Sequence, residues 1–81
     1  MMEQEAVRAG LADILADVFM RDDIAIEPAL TAKDVPGWDS FKQVEIIMAV
    51  EERFHLRFTS TEVDGLRCLG DLMSVIAARG R

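Results

Sequence analysis

Between Ser40 and Phe54 the chain reads SFKQVEIIMAVEERF, and its apolar residues fall at helical spacing on two sides rather than one. At a turn of about 100° per residue, Ile46, Ile47, Val50 and Phe54 share a stripe wide enough to seal a helix against a core. Phe41, Val44 and Met48, at i, i+3 and i+7, make a second stripe on roughly the opposite side, flanked by Glu45, Glu51 and Glu52. A helix needs only one such stripe to be anchored. A chain of 81 residues has few elements with which to cover the other. The pattern therefore predicts an apolar strip in an acidic frame, a docking surface. The competing reading is a helix buried on both sides.

The residues that open this helix, Gly37-Trp38-Asp39-Ser40-Phe41, follow a long polar connection, so the Ser40 hydroxyl is expected at the helix N-terminus, facing solvent. Unpaired N–H groups and the positive end of the helix dipole there favour an attached phosphate by about 0.3 to 1 kcal/mol at an exposed site. The plain alternative is that Ser40 only caps the helix. Ser40-Phe41-Lys42-Gln43 has capping-box spacing, and serine is a common cap. Asp39 can take the cap instead and leave the Ser40 hydroxyl free.

The rest of the chain is read from the same periodicity. Val7, Leu11, Ile14, Leu15 and Val18 repeat at helical spacing and predict a first helix over about 3–19, with Gly10 in its middle marking a close approach to another helix. Residues 20–39 carry no helical period and contain Pro28 and Pro36. They read as a long loop pinned by Ile24, Ile26, Leu30, Val35 and Trp38, with a short helical turn around Thr31 to Asp34 and a chain reversal at Pro36-Gly37. After the second helix, about 40–54, Thr59 and Glu62 stand in capping-box spacing and predict a short third helix over about 60–65. Leu69, Leu72, Met73 and Ile76 give a fourth, over about 69–79, with Gly80 as its stop. The prediction is a single all-α domain, a small bundle of three main helices plus one short helix. Its expected core is Val7, Leu11, Ile14, Leu15, Val18, Ile46, Ile47, Val50, Phe54, Leu69, Leu72 and Ile76.

Composition narrows the function. A net charge of −6 argues against nucleic acid and anionic membrane as partners, since both call for clustered Lys and Arg, and makes basic protein surfaces the natural complement. No segment approaches the roughly 18 apolar residues of a membrane span. The N-terminal stretch lacks the basic, then continuously apolar, pattern of a signal peptide, so a cytoplasmic protein is expected. A monomer is expected. Cys68 is the only cysteine and His55 the only histidine, which leaves no internal disulfide and no support for a metal site. Cys68 reads as a small half-buried residue. His55 lies a helix length from Ser40, roughly 20 Å, so the two cannot form a nucleophile and base within one chain. No catalytic constellation is present: Ser40 is a lone hydroxyl that a separate enzyme, bringing its own base, could modify.

Gly37-Trp38-Asp39-Ser40-Phe41, followed by Val44-Glu45-Ile46-Ile47-Met48-Ala49-Val50-Glu51-Glu52-Arg53-Phe54, resembles the acyl carrier protein family, whose hallmark is Asp-Ser-Leu at the start of an acidic helix. The resemblance continues through the fourth helix. It implies that Ser40 is the attachment point for 4′-phosphopantetheine, transferred from coenzyme A by a phosphopantetheinyl transferase, and that the thiol of that group holds an acyl chain as a thioester. It also implies that Asp39 helps present Ser40. Phe41, Val44, Glu45, Met48, Glu51 and Glu52 match the positions such carriers offer to basic acyl-loading and acyl-processing enzymes. Phe41 departs from the usual Leu, and Lys42 and Arg53 place positive charge where carriers of fatty acid synthesis are usually acidic. The Gly-Trp-Asp-Ser opening is similar to discrete carriers of specialised pathways, such as polyketide or modified-lipid assembly. A peptidyl or aminoacyl carrier, and an unmodified helical adaptor, are the alternatives.

Overall fold

The computed structural model describes residues 3–80, which form an all-α bundle. Helix α1 spans Gln4–Phe19, α2 Ser40–Phe54, α3 Ser60–Asp64 and α4 Leu69–Arg79, and a single 3-10 turn, Ala32–Asp34, sits in the connection between α1 and α2. Both α2 and α4 pack against α1. The core is built from the predicted stripes, with Leu11, Leu15, Ile46, Val50 and Ile76 fully buried.

Four buried side chains were not in the expected core: Ile26, Val35, Leu56 and Met73. Ile26 and Val35 belong to the long connection, which contributes to the interior where its few apolar residues turn inward. Leu56 is buried by the way α2 ends. His55 adopts the left-handed conformation, φ 55°, and the Leu56 N–H returns to the Glu51 carbonyl at 3.3 Å, which folds the chain back and seats Leu56 on the core. Val18, expected in the core, is only partly buried. It lies in the last turn of α1, where its carbonyl accepts from Lys42 Nζ at 3.3 Å and the helix is running out of neighbours.

The α1–α2 contact turns on Gly10. A Cβ there would run into the Phe54 ring and stand 3.0 Å from Arg53 Nε. Glycine in a helix interior costs about 1 kcal/mol relative to alanine, and here it lets two helices meet across a buried phenylalanine.

The long connection holds α4 by its backbone. Leu69 N–H donates to the Leu30 carbonyl at 2.8 Å and Gly70 N–H to the Pro28 carbonyl at 2.9 Å, so loop carbonyls satisfy donors that a helix start leaves orphaned. The Cys68 side chain makes no cap bond. Gly70 permits this approach, since a Cβ on it would lie 3.0 Å from the Pro28 oxygen. Within the connection, Asp34 accepts from both the Thr31 N–H (2.9 Å) and the Thr31 hydroxyl (3.1 Å), which shapes the 3-10 turn.

Helix α3 is held differently, for none of its residues is buried. Thr59 and Glu62 form the capping box, with Thr59 N–H to Glu62 Oε1 at 2.9 Å and Glu62 N–H to Thr59 Oγ1 at 3.2 Å. Glu62 Oε2 also pairs with Arg79 of α4 at 2.7 Å, and the Arg79 guanidinium lies over the Phe58 ring, 5.7 Å from its centre.

Two outcomes are expected. Gly10→Ala should lower stability by about 1 kcal/mol, because overpacking costs of roughly 1 to 3 kcal/mol exceed the gain in helix propensity. In a Phe54→Leu background the same change should stabilise. Denaturant midpoints of the four proteins measure both, and a stabilised Gly10→Ala in the unmodified background would rule out the close approach as the reason for glycine. The second concerns pH. The Thr59 N–H, with Arg79 adding to it, holds the Glu62 carboxyl below the usual carboxylate range against the opposing effect of burial. A depressed folded-state pKa contributes stability that is present above the unfolded value of 4.5 and lost as pH falls through the folded one. The Thr59 amide proton shift should therefore titrate with a midpoint below that value and stop titrating in Glu62→Gln.

Candidate functional site

The site begins at a turn. Trp38 N–H donates to the Val35 carbonyl at 3.2 Å around Pro36-Gly37, with Gly37 at φ 88°, the pattern of a type II turn that calls for proline and then glycine at its centre. Trp38 leaves this turn half-buried. Its ring packs on Phe19 at the end of α1, with centres 5.5 Å apart, and its Nε1–H donates to Gln43 Oε1 at 2.8 Å. One residue thus ties the chain entering α2 both to α1 and to the first turn of α2.

Asp39 is the N-cap of α2, and its Oδ1 accepts from the Lys42 N–H at 3.0 Å. Ser40 is the first helical residue and is exposed. The capping box read from Ser40 and Gln43 is not formed: Asp39 makes the cap bond, and Gln43 is taken by the Trp38 indole. The hydroxyl of Ser40 therefore stands at the positive end of α2 without serving as its cap.

Along the outer face of α2, Phe41 is 80%, Val44 56% and Met48 63% exposed, while Ile46, Ile47, Val50 and Phe54 are buried on the inner face. A helix covered on both sides is not what the structure has. Glu45 and Glu52 are exposed beside this strip. Glu51, grouped with them by sequence, is half-buried, and its Oε2 accepts the Phe58 N–H at 2.8 Å. The basic residues of α2 both reach toward α1. Lys42 Nζ meets the Val18 carbonyl, where a cation suits the C-terminal end of the α1 dipole, and stands 3.8 Å from Glu45; Arg53 pairs with Asp13 at 3.3 Å. Sequence alone placed these charges on α2 but could not show which way they lean.

Beside Ser40 lies an open groove of about 550 Å³. Gln43, Val44, Val63, Leu66 and Leu72 line it together with Ser40, so the short α3 and the segment after it form its far wall. Sequence gave no sign of this groove, since its walls come from three separate stretches, 30–32, 38–44 and 63–72, that only the fold brings together. His55 sits exposed at the opposite end of α2 and has no geometric relation to Ser40.

These features fit a phosphate-linked arm: a free hydroxyl for the link, a helix N-terminus behind it, and a partly apolar groove alongside. Comparison with known proteins agrees. The family described as "Phosphopantetheine attachment site" matches residues 9–76. The acyl carrier protein of Acidothermus cellulolyticus is 32% identical over 94% of this chain and 90% of its own length. The meromycolate extension acyl carrier protein of Mycolicibacterium smegmatis is 30% identical over 90% of this chain and 74% of its own, and the acyl carrier protein of Syntrophobacter fumaroxidans is 29% identical over 94% of each. No solved structure matches the chain. The chain belongs to the phosphopantetheine-attachment-site family, as an acyl carrier protein with 4′-phosphopantetheine as its prosthetic group.

Proposed function

We propose that Ser40 is the residue that carries the prosthetic arm, and that the chain is a non-catalytic carrier whose outer α2 face docks on basic enzymes. The observation that carries this is the division of labour between Asp39 and Ser40. Asp39 takes the Lys42 N–H, so the adjacent hydroxyl is left for chemistry. Ser40 Oγ would form the phosphate link to the pantetheine-bearing phosphorus of coenzyme A as the pyrophosphate bond breaks and adenosine 3′,5′-bisphosphate leaves, its proton passing to a base that a phosphopantetheinyl transferase brings. When bound, the group supplies a thiol on a long flexible arm, where acyl cargo is held as a thioester. The residues at the α2 N-terminus orient the linked phosphate through the helix dipole.

The adaptor alternative, in which Ser40 is an unmodified cap, loses its premise once the cap is assigned to Asp39. The aminoacyl-carrier alternative drew on Lys42 and Arg53. Both lean toward α1, and the outer face keeps Phe41, Val44 and Met48 with Glu45 and Glu52. That surface favours an enzyme patch with apolar contacts and Lys or Arg at its rim. Among the described residues no helix is long and apolar enough to cross a membrane. The identity of the pathway, whether fatty-acid, polyketide or related biosynthesis, is open to determination from the native thioester by mass spectrometry.

Incubation with coenzyme A and a broad-specificity phosphopantetheinyl transferase should add one phosphopantetheine to the intact mass and none to Ser40→Ala. Ser40→Ala should keep its stability within about 0.5 kcal/mol, whereas Asp39→Ala should lose about 1 kcal/mol. An adduct that survives Ser40→Ala sinks the assignment. Glu45→Lys combined with Glu52→Lys should slow association with the transferase and flatten its salt dependence, as expected when rim charges steer an encounter. Stopped-flow association rates at several ionic strengths check this, and unchanged rates would contradict the docking role.

A further inference from the structure

Glu51 belongs by sequence to the acidic face of α2 and by structure to a series of contacts that reaches α3. Its Oε2 accepts the Phe58 N–H at 2.8 Å. The Phe58 ring lies under the Arg79 guanidinium, and Arg79 pairs with Glu62 of α3 at 2.7 Å. None of the α3 residues is fully buried: its one apolar residue, Val63, packs partly on the core, and these contacts and the capping box hold the rest of it in place. An element held in this way belongs to the low-stability end of a fold. It is also a wall of the groove beside Ser40, through Val63 and the following Leu66.

We propose that Glu51 is a latch that couples docking on α2 to the position of α3. A guanidinium engages a carboxylate best through both oxygens, and in the undocked protein one of them is taken by the Phe58 N–H. An arginine of a docked enzyme that draws both oxygens of Glu51 releases Phe58, loosens α3 and opens the far wall of the groove. Among the described residues Glu45 and Glu52 have no such backbone partner, so they contribute to docking without this coupling. The inference rests on the docking face proposed above.

Amide hydrogen exchange of the full chain, alone and with a saturating phosphopantetheinyl transferase in the absence of coenzyme A, tests it. Glu51→Ala should speed exchange at Phe58 and across α3 roughly tenfold, the scale of one lost charge-assisted bond, and leave α1 unchanged. Glu51→Gln keeps an acceptor oxygen and should stay near the unmodified protein. The transferase should accelerate α3 exchange in the unmodified protein and add little in Glu51→Ala. Equal α3 exchange in Glu51→Ala and the unmodified protein overturns the latch, as does α3 exchange that the transferase leaves unchanged or slows. Should transferase binding prove indifferent to Glu45→Lys and Glu52→Lys, the docking face fails separately, and the partner-free contrast between Glu51→Ala and Glu51→Gln still decides whether Glu51 holds α3.

Discussion

The contact between Gly10 and the Phe54 ring sets the geometry on which the rest depends. It allows α1 and α2 to meet closely enough that Ile46, Ile47, Val50 and Phe54 are sealed, and that closeness fixes which side of α2 is left outside. The polar contacts of α2 reinforce the choice. Lys42 reaches the Val18 carbonyl and Arg53 reaches Asp13, so the two cations that would dilute an acidic face are drawn to the α1 side. The outer strip of Phe41, Val44 and Met48 is the residue of that arrangement, exposed because α1 can cover only one face.

The long connection, which has no periodicity, is ordered by a different means. Single apolar anchors, Ile26 and Val35, bury themselves, Trp38 bridges Phe19 and Gln43, and the carbonyls of Pro28 and Leu30 take the first donors of α4. A connection of this length would otherwise carry a large entropy cost. Tying it to a helix N-terminus satisfies polar groups on both sides at once, and it delivers Asp39 and Ser40 to the start of α2 in a defined direction. Where packing is slight, at α3, whose Val63 is only partly buried against the core, a capping box and one ion pair add to it. The fold thus has a rigid side, where α1 meets α2 and α4, and a lightly held side, which faces the groove.

Much of this was legible in the chain because helical amphipathicity is a local property, readable from spacing alone. The stripes of α1, α2 and α4, the capping signal Thr59 to Glu62 and the turn at Pro36-Gly37 each depend on residues a few positions apart. The misreadings have a common cause. Gln43 stands three residues after Ser40, as a capping box requires, but Trp38 offers it a better partner. Val18 continues the apolar stripe of α1, but in the last turn of the helix it is only partly covered. Glu51 matches the acids beside it, yet the backbone after α2 comes back to claim its carboxylate.

The sequence by itself determined where the helices run, which residue opens α2, and that α2 has more apolar surface than one core contact can absorb, since these follow from side-chain chemistry at a fixed helical pitch. Only the tertiary structure decided that Asp39 rather than Ser40 closes the helix end, that Lys42 and Arg53 turn toward α1, and that Ser40 opens beside a groove walled by α3. Those outcomes depend on groups, some neighbouring and some distant in sequence, competing for the same hydrogen bonds and the same space, and that competition is resolved only when the chain has folded.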